Sequence, residues 1–144
     1  MTDSASQTIA IDASLDDCFS VAADFGQYPE WVKDIKAAVV VARDDDGRPT
    51  QVEFRTSALG RSTHYTLAYD YTEAPKVLSW TMVKGDIMRA IEGAYRFEPL
   101  PSGGTEVRYD LSIELVVPLP GFVKRRAEVR ILNSIRDLKA RVEG

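Results

Sequence analysis

Apolar and polar residues alternate most cleanly between Thr105 and Val117. Val107, Tyr109, Leu111, Ile113 and Leu115 share one side there, and Glu106, Arg108, Asp110, Ser112 and Glu114 the other. A period of two sustained this long predicts a strand with one buried and one wet face. The pattern recurs upstream. Gln7–Asp12 sets Ile9 and Ile11 together, and Gln51–Ala58 does the same for Val52, Phe54 and Thr56. Thr63–Tyr71 opposes Tyr65, Leu67, Tyr69 and Tyr71 to His64, Thr66, Ala68 and Asp70. Val77–Lys84 aligns Leu78, Trp80 and Met82, and Arg89–Phe97 aligns Ile91, Gly93, Tyr95 and Phe97. Ala37–Ala42 is a β-branched run that adds a seventh strand. Asp46-Gly47 marks a hairpin turn after it, and Pro101-Ser102-Gly103-Gly104 a turn before the last strand.

Two stretches break from this period. Ser14-Leu15-Asp16-Asp17 is a variant capping box, predicting a helix whose inner face is Cys18, Phe19, Ala22 and Ala23. Gly26 ends it, and Pro29 suits the first turn of a short second helix carrying Trp31, Val32 and Ile35. After Pro118-Leu119-Pro120-Gly121, neither proline nor glycine appears again before Gly144. At 100° per residue Ala127, Ile131, Ile135, Leu138 and Val142 fall within about 80° of one another. This is a long amphipathic helix over Phe122–Val142. Lys124 and Glu128 interrupt its stripe near the start, as a solvated overhang or as the mouth of a cavity. The order β-α-α-β-β-β-β-β-β-α implies an α+β fold, a curved seven-stranded antiparallel sheet wrapped around the long C-terminal helix.

Composition narrows the class without changing the fold. At 144 residues the chain reads as one domain, residues 1–144, with 44% hydrophobic and 28% charged residues as in ordinary globular proteins. No apolar run approaches the roughly 20 residues that span a bilayer. Met1-Thr2-Asp3-Ser4-Ala5-Ser6 has neither a basic n-region nor an apolar h-region, so no signal peptide is expected. A single cysteine, Cys18, excludes an intrachain disulfide, and with one histidine, His64, no metal centre or cofactor is implied. The expected compartment is a reducing cytoplasm. Residues 1–50 hold four Lys/Arg against ten Asp/Glu, whereas residues 120–144 hold seven against three. The acidic start argues against nucleic acid as a partner.

The strand and helix Ile9 to Phe25, then Tyr28-Pro29-Glu30-Trp31, carry a resemblance that runs through essentially the whole chain. It continues in Asp46-Gly47-Arg48-Pro49, Trp80, Gly93-Ala94-Tyr95-Arg96-Phe97, Gly104-Thr105-Glu106-Val107 and Pro118-Leu119-Pro120-Gly121-Phe122. With these the chain resembles the START-like superfamily of helix-grip proteins, also called SRPBCC. Within it, the chain is most similar to small actinobacterial members of the polyketide cyclase/dehydrase-like branch. The resemblance implies an apolar tunnel between sheet and helix that holds a lipid, sterol, isoprenoid or polyketide. Some members carry such a molecule and others cyclise or dehydrate it, so fold alone leaves activity open.

Alternation supplies the inward set for such a tunnel: Phe54, Tyr65, Leu67, Tyr69, Trp80, Met82, Ile91, Tyr95, Tyr109 and Leu111. Ile131 and Ile135 roof it, and Trp31 either joins it or plugs the core with Phe25 and Tyr28. Apolar walls with a few phenols are what small-molecule sites use, although each phenol alone can equally reach a backbone carbonyl. His64 and Glu92 face the wet side by parity, and Cys18 reads as a small core residue. No residue stands out as catalytic. Binding or transport of a small hydrophobic ligand is therefore the expected function, and a polyketide cyclase/dehydratase-type enzyme is the alternative. In the enzyme case Lys124, Arg125 and Arg126 would dock an acidic carrier protein. A surface-docking interaction module is a third reading. A homodimer is compatible with the sequence, which neither requires nor forbids one.

Overall fold

The computed structural model describes residues 2–58, 61–115 and 135–144. The last strand organises the sheet. β7 (Thr105–Leu115) pairs antiparallel on one side with β1 (Thr2–Ile11), from Thr2 opposite Glu114 to Ile11 opposite Thr105. On its other side it pairs with β6 (Met88–Pro99), and the meander continues through β5 (Val77–Gly85), β4 (Arg61–Asp70), β3 (Pro49–Ala58) and β2 (Ile35–Arg43). The spatial order is β1-β7-β6-β5-β4-β3-β2, every pairing antiparallel. Register shifts between Ile35 and Ala37, Thr66 and Leu67, and Met88 and Ala90 bend the strands where they occur, as an inserted residue must. Strands run longer than the alternation indicates, because backbone pairing continues past the last buried side chain.

β1 and β2, consecutive strands in the sequence, form opposite edges of the sheet. The segment between them holds α1 (Leu15–Ala22), a 3₁₀ turn (Phe25–Gln27) and α2 (Tyr28–Trp31). Ser14 caps α1 as expected, its hydroxyl accepting from the Asp17 N–H at 3.2 Å. Pro29 sits in the first turn of α2. Ile35 departs from expectation: it opens β2 rather than closing the second helix, because the chain turns extended at Val32 (φ −100°, ψ 106°). At the β2–β3 turn Gly47 takes φ 83°, a left-handed conformation that favours glycine. Arg48 closes that turn on Asp44 at 3.0 Å and lies over the Tyr71 ring at 4.9 Å.

A C-terminal helix, α3, covers residues 135–143 among those described. Ile135 and Leu138 are fully buried against the sheet. Lys139 Nζ donates to the Ala10 carbonyl and Glu143 accepts from the Asp12 N–H, both at 2.8 Å, so the end of α3 is fastened to the end of β1. The length of this helix before residue 135, with Ile131, lies outside the described residues.

The interior is packed unequally. Around α1, Ile11, Cys18, Ala22, Phe25, Leu78, Val107 and Leu138 are at most 1% exposed. Thr105 is sealed among them, its hydroxyl donating to the Ala13 carbonyl at 2.8 Å. Fully burying a large side chain contributes on the order of 1.5–3 kcal/mol, so this end holds much of the stability. At the opposite end of the sheet Tyr65, Met82, Met88, Leu111 and Ile113 face inward yet stay only partly buried.

Candidate ligand cavity

Cross-strand register assembles the wall of the less filled end. Phe54 faces Tyr65, Leu67 faces Met82, Tyr69 faces Trp80, Ile91 faces Ile113, Gly93 faces Leu111 and Tyr95 faces Tyr109. Ten of the inward residues expected from alternation, Phe54, Tyr65, Leu67, Tyr69, Trp80, Met82, Ile91, Tyr95, Tyr109 and Leu111, thus share one face of one sheet. Tyr69, Trp80 and Tyr109 keep 7–9% exposure, whereas Phe54, opposite Tyr65, and Ile135 keep 1% or less. Trp31 is partly buried at the end of α2 and packs against the core.

An aromatic chain links these positions. Trp31 meets Tyr28 edge-on at 4.9 Å, Tyr28 meets Phe25 at 5.5 Å, and Phe25 meets Tyr69 at 4.1 Å. From Tyr69 the chain passes to Trp80 at 5.9 Å, and Trp80 contacts both Tyr95 and Tyr109, which lie 4.8 Å apart. Such pairs each add about 0.5–1.5 kcal/mol beyond burial and hold ring orientations fixed. Phe25 and Tyr28 therefore belong to the core, and Tyr28 couples the helical segment to the wall.

The phenols divide into two kinds. Tyr28 donates to the Ala22 carbonyl and Tyr71 to the Pro49 carbonyl, which makes them structural. Among the described residues the hydroxyls of Tyr65, Tyr69, Tyr95 and Tyr109 are engaged in no hydrogen bond. Burial pushes all four well up from the ordinary phenol value; neighbouring tyrosines add to this at Tyr69 and Tyr109. Asp34 adds to it at Tyr65, and Tyr28 and Asp137 add to it at Tyr95. All four therefore stay protonated at neutral pH and can donate to, or accept from, a guest molecule.

The helical wheel sets Asp137 off the apolar stripe and so does not single it out. It is half-buried on α3; burial first and Asp34 second push its carboxyl up, with Lys33 opposing. The residues that follow α2 thus face the flank of α3, an arrangement no periodicity within either element encodes. Ile113 and Met88 also join the inward set. His64 and Glu92 are on the outer face as parity requires, and Cys18 is fully buried, its thiol pushed up by desolvation. Lys124, Arg125 and Arg126 lie outside the described residues.

The outer face carries a separate shallow groove of about 770 Å³ across β1, β7, β6, β5 and β4. Its side chains are mostly small or polar, among them Ser4, Ser6, Ser79, Thr81, Ala94 and Ser112. Tyr69, Trp80 and Leu111 also border it, so it combines hydrogen-bonding groups with apolar surface. No group of His, Cys, Asp or Glu suited to a metal occurs among the described residues, and none of their helices is long and apolar enough to cross a membrane.

Comparison with known proteins agrees with this architecture. The family model described as polyketide cyclase / dehydrase and lipid transport matches residues 2–143. A START superfamily protein from Mycobacterium smegmatis is similar at 30% identity over 97% of each chain, with a TM-score of 0.88. The Zhui aromatase/cyclase from Streptomyces sp. R1128 shares the fold at 13% identity, covering 99% of this chain and 94% of its own, with a TM-score of 0.82. A protein from Thermus thermophilus shares it at 20% identity over 97% of each chain, with a TM-score of 0.79. No curated protein matches the sequence.

Proposed function

Because the chain belongs to the polyketide cyclase/dehydrase and lipid transport family of the START superfamily, we propose that it binds and carries a small apolar molecule between the sheet and its C-terminal helix. Family and fold support hydrophobic-ligand binding or polyketide-cyclase-like chemistry. The observation that carries the binding reading is the unequal interior, packed around α1 and lined toward the other end by partly accessible apolar side chains, with four phenols that hydrogen-bond to none of the described residues. A guest that hides ~300 Å² of apolar surface gains roughly 7 kcal/mol at 25 cal/mol per Å². Association takes back several kcal/mol of that, so phenol hydrogen bonds decide between weak and useful affinity. Lipids, isoprenoids and polyketides all satisfy this chemistry.

The test is native mass spectrometry of protein purified from its own host, followed by denaturing extraction. A stoichiometric apolar molecule supports the reading. A clean apo mass, with no thermal shift from a panel of apolar compounds, overturns it.

A second reading, catalysis on the bound chain, is favoured by one observation. The half-buried Asp137 carboxyl, raised by burial, stands close enough to the Tyr95 phenol to bias it. A carboxyl held toward its protonated form and within electrostatic reach of a phenol can exchange a proton with a bound carbonyl compound. Under this reading Asp137→Asn abolishes turnover and leaves ligand affinity intact.

A further inference from the structure

The indole Nε1–H of Trp31 is sealed from solvent and has no hydrogen-bond partner; among the described residues it is the one buried side-chain polar atom in that condition. Such a group has lost its hydration and received nothing in return, and native proteins leave few of them without a reason. Its surroundings indicate the reason. Glu30, just before it, reaches Arg141 on α3 at 4.0 Å. Lys33 and Asp34, just after it, act electrostatically on Asp137, one turn earlier on the same helix. Trp31 therefore stands at the seam between α2 and α3, and the charge of Asp137 in turn reaches the Tyr95 phenol. The seam leads to the phenol-lined wall.

We propose that the Trp31 Nε1–H is an anchoring donor for an oxygen of the bound molecule. The ligand is then a carbonyl-bearing apolar compound, not a plain hydrocarbon chain. An indole N–H donates and cannot accept, so only an acceptor atom satisfies it. The phenols of the wall can donate to further oxygens of the same compound. This inference rests on the interior holding a ligand at all.

Fluorene and 9-fluorenone share one carbon skeleton and differ by a carbonyl, which makes them suitable probes. Wild-type protein is expected to bind both and to prefer the ketone about fivefold, the worth of one hydrogen bond near 1 kcal/mol. The bound ketone's C=O stretch is expected to move to lower frequency. Trp31→Phe should erase both the preference and the shift, and a benzothienylalanine replacement, which keeps the bicyclic ring and exchanges only the N–H for sulfur, should erase both while leaving fluorene affinity unchanged. A preference and a shift that survive either replacement overturn the anchoring role but leave the binding site standing. Binding of neither probe by wild-type protein overturns the binding reading and the anchor with it.

Discussion

Trp80 lies across Gly93. The two are directly paired between β5 and β6, and a methyl group built on Gly93 would come within 2.6 Å of the indole ring carbons. The missing side chain is the space the indole occupies, and the indole from there contacts Tyr69, Tyr95 and Tyr109. Gly93→Ala should therefore displace Trp80 and cost about 1–3 kcal/mol, several degrees in thermal midpoint. In a Trp80→Leu background the same substitution should cost much less. Equal costs in the two backgrounds, read from calorimetry as a double-mutant cycle, would show that the two residues are uncoupled.

Enlarging a wall residue separates a hollow from a packed core. Ile135 is fully buried, so a larger residue there would strain the core and obscure the result. Leu111 faces inward and is only partly buried. Leu111→Trp should hold or raise the thermal midpoint while weakening binding of 9-fluorenone at least tenfold. A loss of stability comparable to overpacking, about 1–3 kcal/mol, would mean that the space is already filled.

The two kinds of phenol predict opposite responses to the same chemical change. Tyr28→Phe removes a buried donor from the Ala22 carbonyl and should destabilise by about 1–2 kcal/mol. Tyr109→Phe removes a hydroxyl engaged by no described residue and should change apo stability by less than about 0.5 kcal/mol. The effect of Tyr109→Phe should appear instead in weaker ketone binding, read by titration calorimetry.

Asp137 gives the fold a distinctive pH response. Its carboxyl binds a proton more tightly folded than unfolded, because burial and Asp34 disfavour the charge. Stability from this group is therefore greatest below the ordinary value of 3.8 and falls as pH rises through the raised folded value. Asp137→Asn should raise the thermal midpoint at pH 7, and the gain should shrink to nothing near pH 3. A gain that persists undiminished in acid would rule out titration of this residue as its source.

Much of this is legible in the sequence because one-sided burial writes itself as alternation. Val107, Tyr109 and Leu111 announce the inner face of β7, Ser14 announces α1, and Asp46-Gly47 announces its hairpin. Contacts between elements leave no such trace. Nothing in the period of β5 or β6 reveals that Gly93 is empty for Trp80, and a helical wheel cannot state which flank of α3 meets Lys33 and Asp34. Ile35 misleads because an apolar residue four positions after Trp31 fits a helical period as well as the start of a strand. The difference between a packed and a hollow end depends on three-dimensional curvature, to which identical apolar patterns are blind.

The pairing of β1 with β7 also sets an order of assembly. Ser4 and Ser112 approach to 3.5 Å although 108 positions separate them, and Lys139 reaches back 129 positions to Ala10. Strands β2 to β7 are successive hairpins that can zip locally, whereas closing so long a loop is favourable only once that meander exists. During synthesis the first strand, with Ile9 and Ile11 still unmatched, must wait until residue 115 has left the ribosome. β1 and α3 thus form a clasp that shuts last, and pulse-labelling hydrogen exchange during refolding should find the meander protected before β1 and α3.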